Sequence, residues 1–482
     1  MRPTVVASVL ALAVLTPTLA LAKDVPVATP GELLAAVAAA QPGDRIVLAD
    51  GTYALTANVS CSANGTAQSP IAVVAKNPLG AKITFDALEG FKVSGAYWRF
   101  EGLDVKGVCA DDSNCEHAFH VTGAADFFSL RLSRIVDFNA QIKVNAEQVA
   151  TTWATPDDGL VEGNEFFDTR ARSTANPTTK INIDTGDRWI VRANSIHDFQ
   201  KGQGDGVSYA AFMKSGGKGG LFERNLVVCS KAFTGGTRIG LSFGGGGTAP
   251  QFCAPAFNAN TPCDPEHSDG TMRNNIIASC SDVGIYLNKA KNTKLLFNTL
   301  VATSGIDFRF ASSTGSAVGN VLDGKIRARD TGTFTGTDNL ESVTTFAQMY
   351  QAPLVGDLRR LGDLSSLLGK ATARADVPND YCARTRGAAY DLGALQASLG
   401  DCATIPPTVG TDGGFPTTDG GFPPFDASTD DAGSGSWNGD PGSREPGCGC
   451  DVAGAGSSPF ALLTLVPFAA VALGRRRTRP RR

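Results

Sequence analysis

Residues 189–197 read WIVRANSIH, and residues 220–228 read GLFERNLVV. Each places a short apolar run on either side of a polar corner that ends in asparagine, Asn194 in one and Asn225 in the other. The same phrase recurs as FEGLDV, RLSRIVDF, VEGNEFF, MRNNIIA, LFNTLVA and AVGNVLD. Its anchor positions are Gly102, Ser133, Asn164, Asn194, Asn225, Asn275, Asn298 and Asn320, with spacings of 31, 31, 30, 31, 50, 23 and 22. A period in this range is the mark of a repeat architecture. The outlying 50 is explained if residues 244–268, rich in Gly, Pro and Cys, form an inserted loop. Runs this short, with almost no helical periodicity between them, predict a coil of parallel strands. The expected fold is therefore all-β, a parallel β-helix solenoid. In such a coil each asparagine stacks on the asparagine one rung away, about 4.8 Å distant. Its amide can then satisfy buried turn backbone.

Each rung also carries a second strand before its asparagine phrase, such as QIKVNA, KINIDTG, AFMKSGG and GIYLNK. Strand residues alternate between the two faces. If Ile, Val and Met point inward, the outward residues align into a polar and basic stripe. His120, Lys143, Asn182, Phe212, Tyr286 and Arg309 lie on it, together with Asp184 and Lys214. Such a stripe suits an extended sugar polymer, with Phe212 and Tyr286 stacking on sugar rings. KSGG at 214–217 aligns with DTGD at 184–187, which sets Lys214 beside Asp184. The glycines that follow Lys214 form a turn and not a phosphate loop, since no Lys-Ser/Thr closes a G-x-x-x-x-G frame. A second acid–base candidate is DPEHSDG on the inserted loop, with Asp264, His267 and Asp269.

The domain opens with TPGELLAAVAAAQPGD, residues 29–44. Thr29 suits an N-cap, Pro30 the first helical position and Glu32 the return partner of a capping box. A helix is expected over residues 30–41, stopping at Pro42-Gly43, where it would cap the open end of the coil. Cysteine placement favours small closures, with Cys109 near Cys115, Cys253 near Cys263 and Cys382 near Cys402. Cys229 and Cys280 fall near one corner on neighbouring rungs. Cys61 is left over, so either one of these assignments fails or one thiol is free.

The two ends read differently. Residues 1–22 have an early arginine, an apolar run and an Ala-x-Ala exit, the pattern of a secretory signal. Residues 404–447 are rich in Pro, Gly, Asp, Ser and Thr, with TDGGFP twice, and read as a disordered stalk. Residues 448–482 hold Cys448, Cys450, an apolar stretch at 452–473 and six arginines, which together read as a transmembrane anchor. The domain itself is taken as residues 23–403. The expectation is therefore a secreted monomer, retained at the cell envelope by its tail. With 43 basic and 47 acidic residues, the chain shows no footprint for nucleic acid.

The repeat, together with PGDRIVLADGTY and SPIAVVAKNPLGAKITF, resembles the right-handed parallel β-helix proteins of the pectate-lyase-like superfamily, nearest to its alginate and chondroitin lyases. The tail resembles the C-terminal sorting tails of myxobacterial surface proteins. The first resemblance implies β-elimination on a uronic acid, with a lysine base, an arginine about one rung away and Ca²⁺ on the carboxylate. Lys214 and Arg238 match that separation. Lys214 would then be a base of lowered pKa, oriented by Asp184, with Arg238 serving the leaving oxygen or the carboxylate. The stretch GDGVSYAAFMK departs from the pattern, because it offers only Asp205 and no Glu for calcium. The metal site is therefore read as missing or rebuilt. A non-catalytic glycan-binding or adhesive β-helix is the alternative.

Overall fold

The computed structural model describes residues 23–245 and 247–402. The expected signal, stalk and anchor (residues 1–22, 404–447 and 448–482) lie outside the described residues. Among the described residues no helix is long and apolar enough to cross a membrane.

Three long sheets of 12, 10 and 10 strands run beside one another, and their strands pair in parallel with the equivalent strand of the next rung. This is a parallel β-helix. The asparagines form a continuous ladder, as the spacing predicts. Asn194 Nδ2 donates to Asn225 Oδ1 at 3.0 Å and to the Val161 carbonyl at 2.9 Å. Its backbone N–H donates to the same Asn225 oxygen at 3.1 Å. The pattern repeats from Asn164 through Asn275, Asn298 and Asn320, and it reaches one rung further than the sequence phrase, to Asn339. Each amide satisfies turn backbone that the coil hides from water. That requirement is why the same residue type returns at the same corner.

The interior is equally regular. Phe91 and Phe119 are cross-strand neighbours whose rings stack at 5.2 Å between centroids. In later rungs the same inward position holds Ile142, Ile181, Ala211, Leu241, Ile285, Ile306 and Ile326. All belong to one buried core.

The capping helix spans Pro30–Ala38, with Thr29 and Glu32 closing the predicted capping box. It ends before residue 41 because Gln41 N–H donates to Asp44 Oδ2 at 2.9 Å, which draws the chain into a turn. Leu33 and Val37 seat the helix on the core. The four expected disulfides are formed: Cys109–Cys115, Cys229–Cys280, Cys253–Cys263 and Cys382–Cys402. Among the described residues Cys61 is the one free thiol, and it is buried.

Thr333–Thr337 form the last strand of the 12-stranded sheet, and residues 346–402 lie along the outward side of the second ten-stranded sheet, where Ala394 N–H donates to Thr299 Oγ1 at 2.9 Å. The strands explain this. In early rungs that face carries Asp104, Arg134 and Glu165, but in later rungs it carries Leu226, Ile276 and Val321. The apolar outward positions need a cover, and the C-terminal segment supplies it.

Candidate functional site

The other ten-stranded sheet carries the chemistry on its outward face. Strands His117–Thr122, Ala140–Asn145, Thr178–Asp184 and Val207–Lys214 lie side by side there. One cross-strand row is His120, Lys143, Asn182 and Phe212. The next is Thr122, Asn145, Asp184 and Lys214. Two lysines from different strands thus converge on one carboxylate. Lys143 Nζ bonds Asp184 Oδ2 and also donates to Asn182 Oδ1 at 3.2 Å. Lys214 Nζ lies 3.1 Å from Asp184 Oδ1. Ser215, in a left-handed backbone conformation with φ of 62°, turns its hydroxyl to donate to the same oxygen at 2.7 Å. Gly216 follows with φ of 87°, and a Cβ there would meet the Ala254 carbonyl oxygen at 2.0 Å. The turn that aims Ser215 therefore requires glycine.

The inserted loop brings in a residue that the sequence reading did not single out, Glu266. It is 2% exposed, and its carboxylate accepts from Gly245 N–H and Thr248 Oγ1, each at 3.3 Å. The remainder of DPEHSDG disperses. His267 stacks inside on Phe243 at 4.2 Å, Asp264 lies near Lys289, and Asp269 accepts from Asn292.

Electrostatics set the two lysines apart. Burial pushes the Lys143 ammonium below its ordinary pKa, only partly resisted by Asp184, with the like charge of Lys214 adding to the fall. For Lys214, burial works in the same direction, but Asp184 and Glu266 outweigh it and hold the pKa above the ordinary value. This corrects the expectation of a lowered Lys214. Burial also opposes the Asp184 charge, yet the two lysines keep its carboxyl well below the usual range. Burial raises Glu266.

The remaining sequence candidates are placed differently. Arg238 pairs in register with Ser208, at the far end of the strand from Lys214, and is fully buried. Its guanidinium donates to the carbonyls of Cys229, Phe233 and Gly235 and to Gln200 Oε1. It is a turn fastener, apart from the cluster. Phe212 is 5% exposed, with Lys214 over its ring and Tyr209 against its edge, so it offers no open face for a sugar. Tyr286 and Arg309 do come together, Nη1 donating to the phenol oxygen at 3.0 Å, and line a separate hollow with Tyr209 and Ile239. His120 sits one strand before Lys143, between Glu89 Oε1 at 2.7 Å and Asn145 Oδ1 at 3.1 Å.

A calcium ion does not fit beside Lys214. Such an ion asks for about six to eight oxygen ligands. Asp205 is paired with Lys201, and Asp184 is held between two ammonium groups.

A family model described as "Pel9A-like, right handed beta helix region" matches residues 15–186, a span that includes Lys143, Asn182 and Asp184. A search of curated proteins finds no match. Among solved structures, the chain is similar to pectate lyase Pel9A, at 15% identity and a TM-score of 0.49, over 78% of this chain and 98% of that one. It is also similar to an alginate lyase from Paenibacillus sp. str. FPU-7, at 15% identity and a TM-score of 0.36, over 66% and 99%. A rhamnogalacturonan lyase matches at 13% identity and a TM-score of 0.40, over 67% and 89%.

Proposed function

We propose that the chain binds an acidic polysaccharide along this outward face and cleaves it by β-elimination at the Lys143–Asp184–Lys214 cluster. The observation that carries the reading is the convergence of two lysines, shifted in opposite directions, on one carboxylate. Elimination on a uronic acid needs a base for the C5 proton and a positive group on the carboxylate. Lys143, whose charge burial disfavours, is the base. Lys214, which stays charged, faces the substrate carboxylate. Asp184 orients both. Lys143 takes the C5 proton and hands it to the glycosidic oxygen as the C4–O bond breaks. A C4=C5 double bond remains, and no co-reactant is consumed. The family-model match over the strands that carry Lys143 and Asp184 supports the same reading. The ends of the sequence extend the proposal to export and retention at the envelope.

A second reading is a glycan-binding β-helix without catalysis. It is favoured by the ion pairs themselves, since both lysines already have Asp184 as partner. One experiment separates the two. The purified chain is mixed with pectate, alginate or chondroitin sulfate, and the ultraviolet absorbance of unsaturated uronate is followed. The lyase reading expects a rise on at least one glycan, reduced about a hundredfold or more in Lys143→Met. Wild-type turnover in that variant would remove Lys143 from the mechanism. Binding without any rise, weakened by Lys214→Met, would establish the non-catalytic reading instead.

A further inference from the structure

One strand away from Lys143 lies a group that the elimination does not use. Glu89 and His117 are cross-strand partners, and His120 follows His117 by three residues. One ligand atom from each of the three lies within 4.8 Å of the others. We propose that Glu89, His117 and His120 form a binding site for a divalent transition metal of the zinc class.

Three features support this. First, the donor set is two imidazoles and one carboxylate. Zinc accepts that mixture and keeps a fourth position open, whereas calcium and magnesium ask for oxygen alone. Second, His117 Nδ1 is buried with no hydrogen-bond partner. A buried polar atom left this way is destabilising, and a metal ion bound to it would remove that cost. Third, His120 is already oriented, because Nε2 faces Asn145 Oδ1 at 3.1 Å while Nδ1 faces Glu89 Oε1 at 2.7 Å. A ligating histidine characteristically donates its other N–H to an oxygen in this manner. With bonds of roughly 2.0–2.2 Å, tetrahedral ligand atoms lie about 3.4 Å apart, so Glu89 Oε1 and His120 Nδ1, now 2.7 Å apart, would open slightly while the His117 nitrogen closes from within 4.8 Å, a side-chain adjustment. The nearest buried cation, Lys143, is neutralised by Asp184.

Competing imidazoles are few. The chain has four histidines. Of the other two, His197 lies between Asp198 at 2.9 Å and Glu165 at 3.4 Å, and His267 is buried on Phe243.

The test is a titration of the untagged, metal-stripped full chain with Co²⁺, followed by visible absorption and by displacement with Zn²⁺. The expected result is one equivalent bound, with the absorption lost in His117→Ala and in His120→Ala. Asn145→Ala should weaken binding by about tenfold or more. No stoichiometric binding, as a plain His120–Glu89 ion pair would give, overturns the proposal. So does an unchanged spectrum in both histidine variants. If those variants fail to fold, X-ray absorption on the Zn²⁺-loaded wild-type chain decides, because fewer than two imidazole ligands contradicts the site. None of these readouts involves sugar turnover, so the site stands or falls apart from the lyase reading.

Discussion

Two outward walls of the coil carry rows of charge, and they are built differently. On the 12-stranded sheet, cross-strand neighbours run Arg131, Glu162, Arg192, Glu223, Arg273. Arg131 and Arg192 both donate to Glu162, at 2.9 and 2.6 Å, and Arg273 donates to Glu223 at 2.7 Å. Signs alternate rung by rung, so each charge is balanced by its neighbours. On the ten-stranded sheet, Lys143 and Lys214 share the single carboxylate of Asp184, and the flanking positions are Asn145 and Asn182. The lesson is one of matching. An alternating row uses its charge to hold rungs in register, whereas a mismatched cluster keeps its groups buried, shifted in pKa and available to an anionic ligand.

The largest expected effect comes from removing the shared carboxylate. Asp184→Asn leaves two buried ammonium groups facing one another, and should cost about 3 kcal/mol or more in urea unfolding. A loss no larger than that of a surface charge would mean that the cluster is not buried as described. Next comes acid. His267 is buried without a partner for either nitrogen, and burial pushes its pKa from 6.5 down to about 3. The unfolded chain therefore takes up a proton that the native chain refuses, and stability falls as pH drops from 6.5 towards 3. His267→Phe should flatten that slope and raise stability by about 1 kcal/mol near neutral pH. An unchanged slope would place the acid response elsewhere, in the walls or at His117, whose pKa burial also lowers from 6.5 to about 3. The smallest effect belongs to the matched wall. Glu162→Gln removes a half-buried bridge and should cost about 1 kcal/mol or less, with turnover untouched. Burial opposes the Glu162 charge, but Arg192 and Arg131 hold its pKa below the ordinary 4.5. The difference between wild type and variant should therefore be present above pH 4.5 and vanish as pH falls through the folded value.

Much of the scaffold was legible because every rung poses the same problem. Hidden turn backbone needs an amide, so Asn164, Asn194, Asn225, Asn275, Asn298 and Asn320 recur at readable intervals. Strand alternation likewise predicts Lys214 beside Asp184. The same alternation could say that Arg238 leaves the core but not what covers it. Residues 229–236 fold over it and supply its carbonyl partners, a chain path that periodicity does not encode. Glu266 was illegible for a related reason. It returns to the face through an insertion, anchored by the small sheet of Gly217–Lys218, His267–Ser268 and Ala290–Lys291. The pairing of Glu89 with His117 does follow from register, but its start-of-strand position lies outside the alternating pattern that guided the reading.

The most direct test sets Lys143→Met beside Glu162→Gln, with melting temperature and uronate elimination measured on both. Lys143→Met should keep a near-native melting temperature and lose turnover about a hundredfold or more, while Glu162→Gln should keep both. Equal turnover in the two variants, on a glycan that the wild-type chain cleaves, would contradict the role of Lys143 as the base.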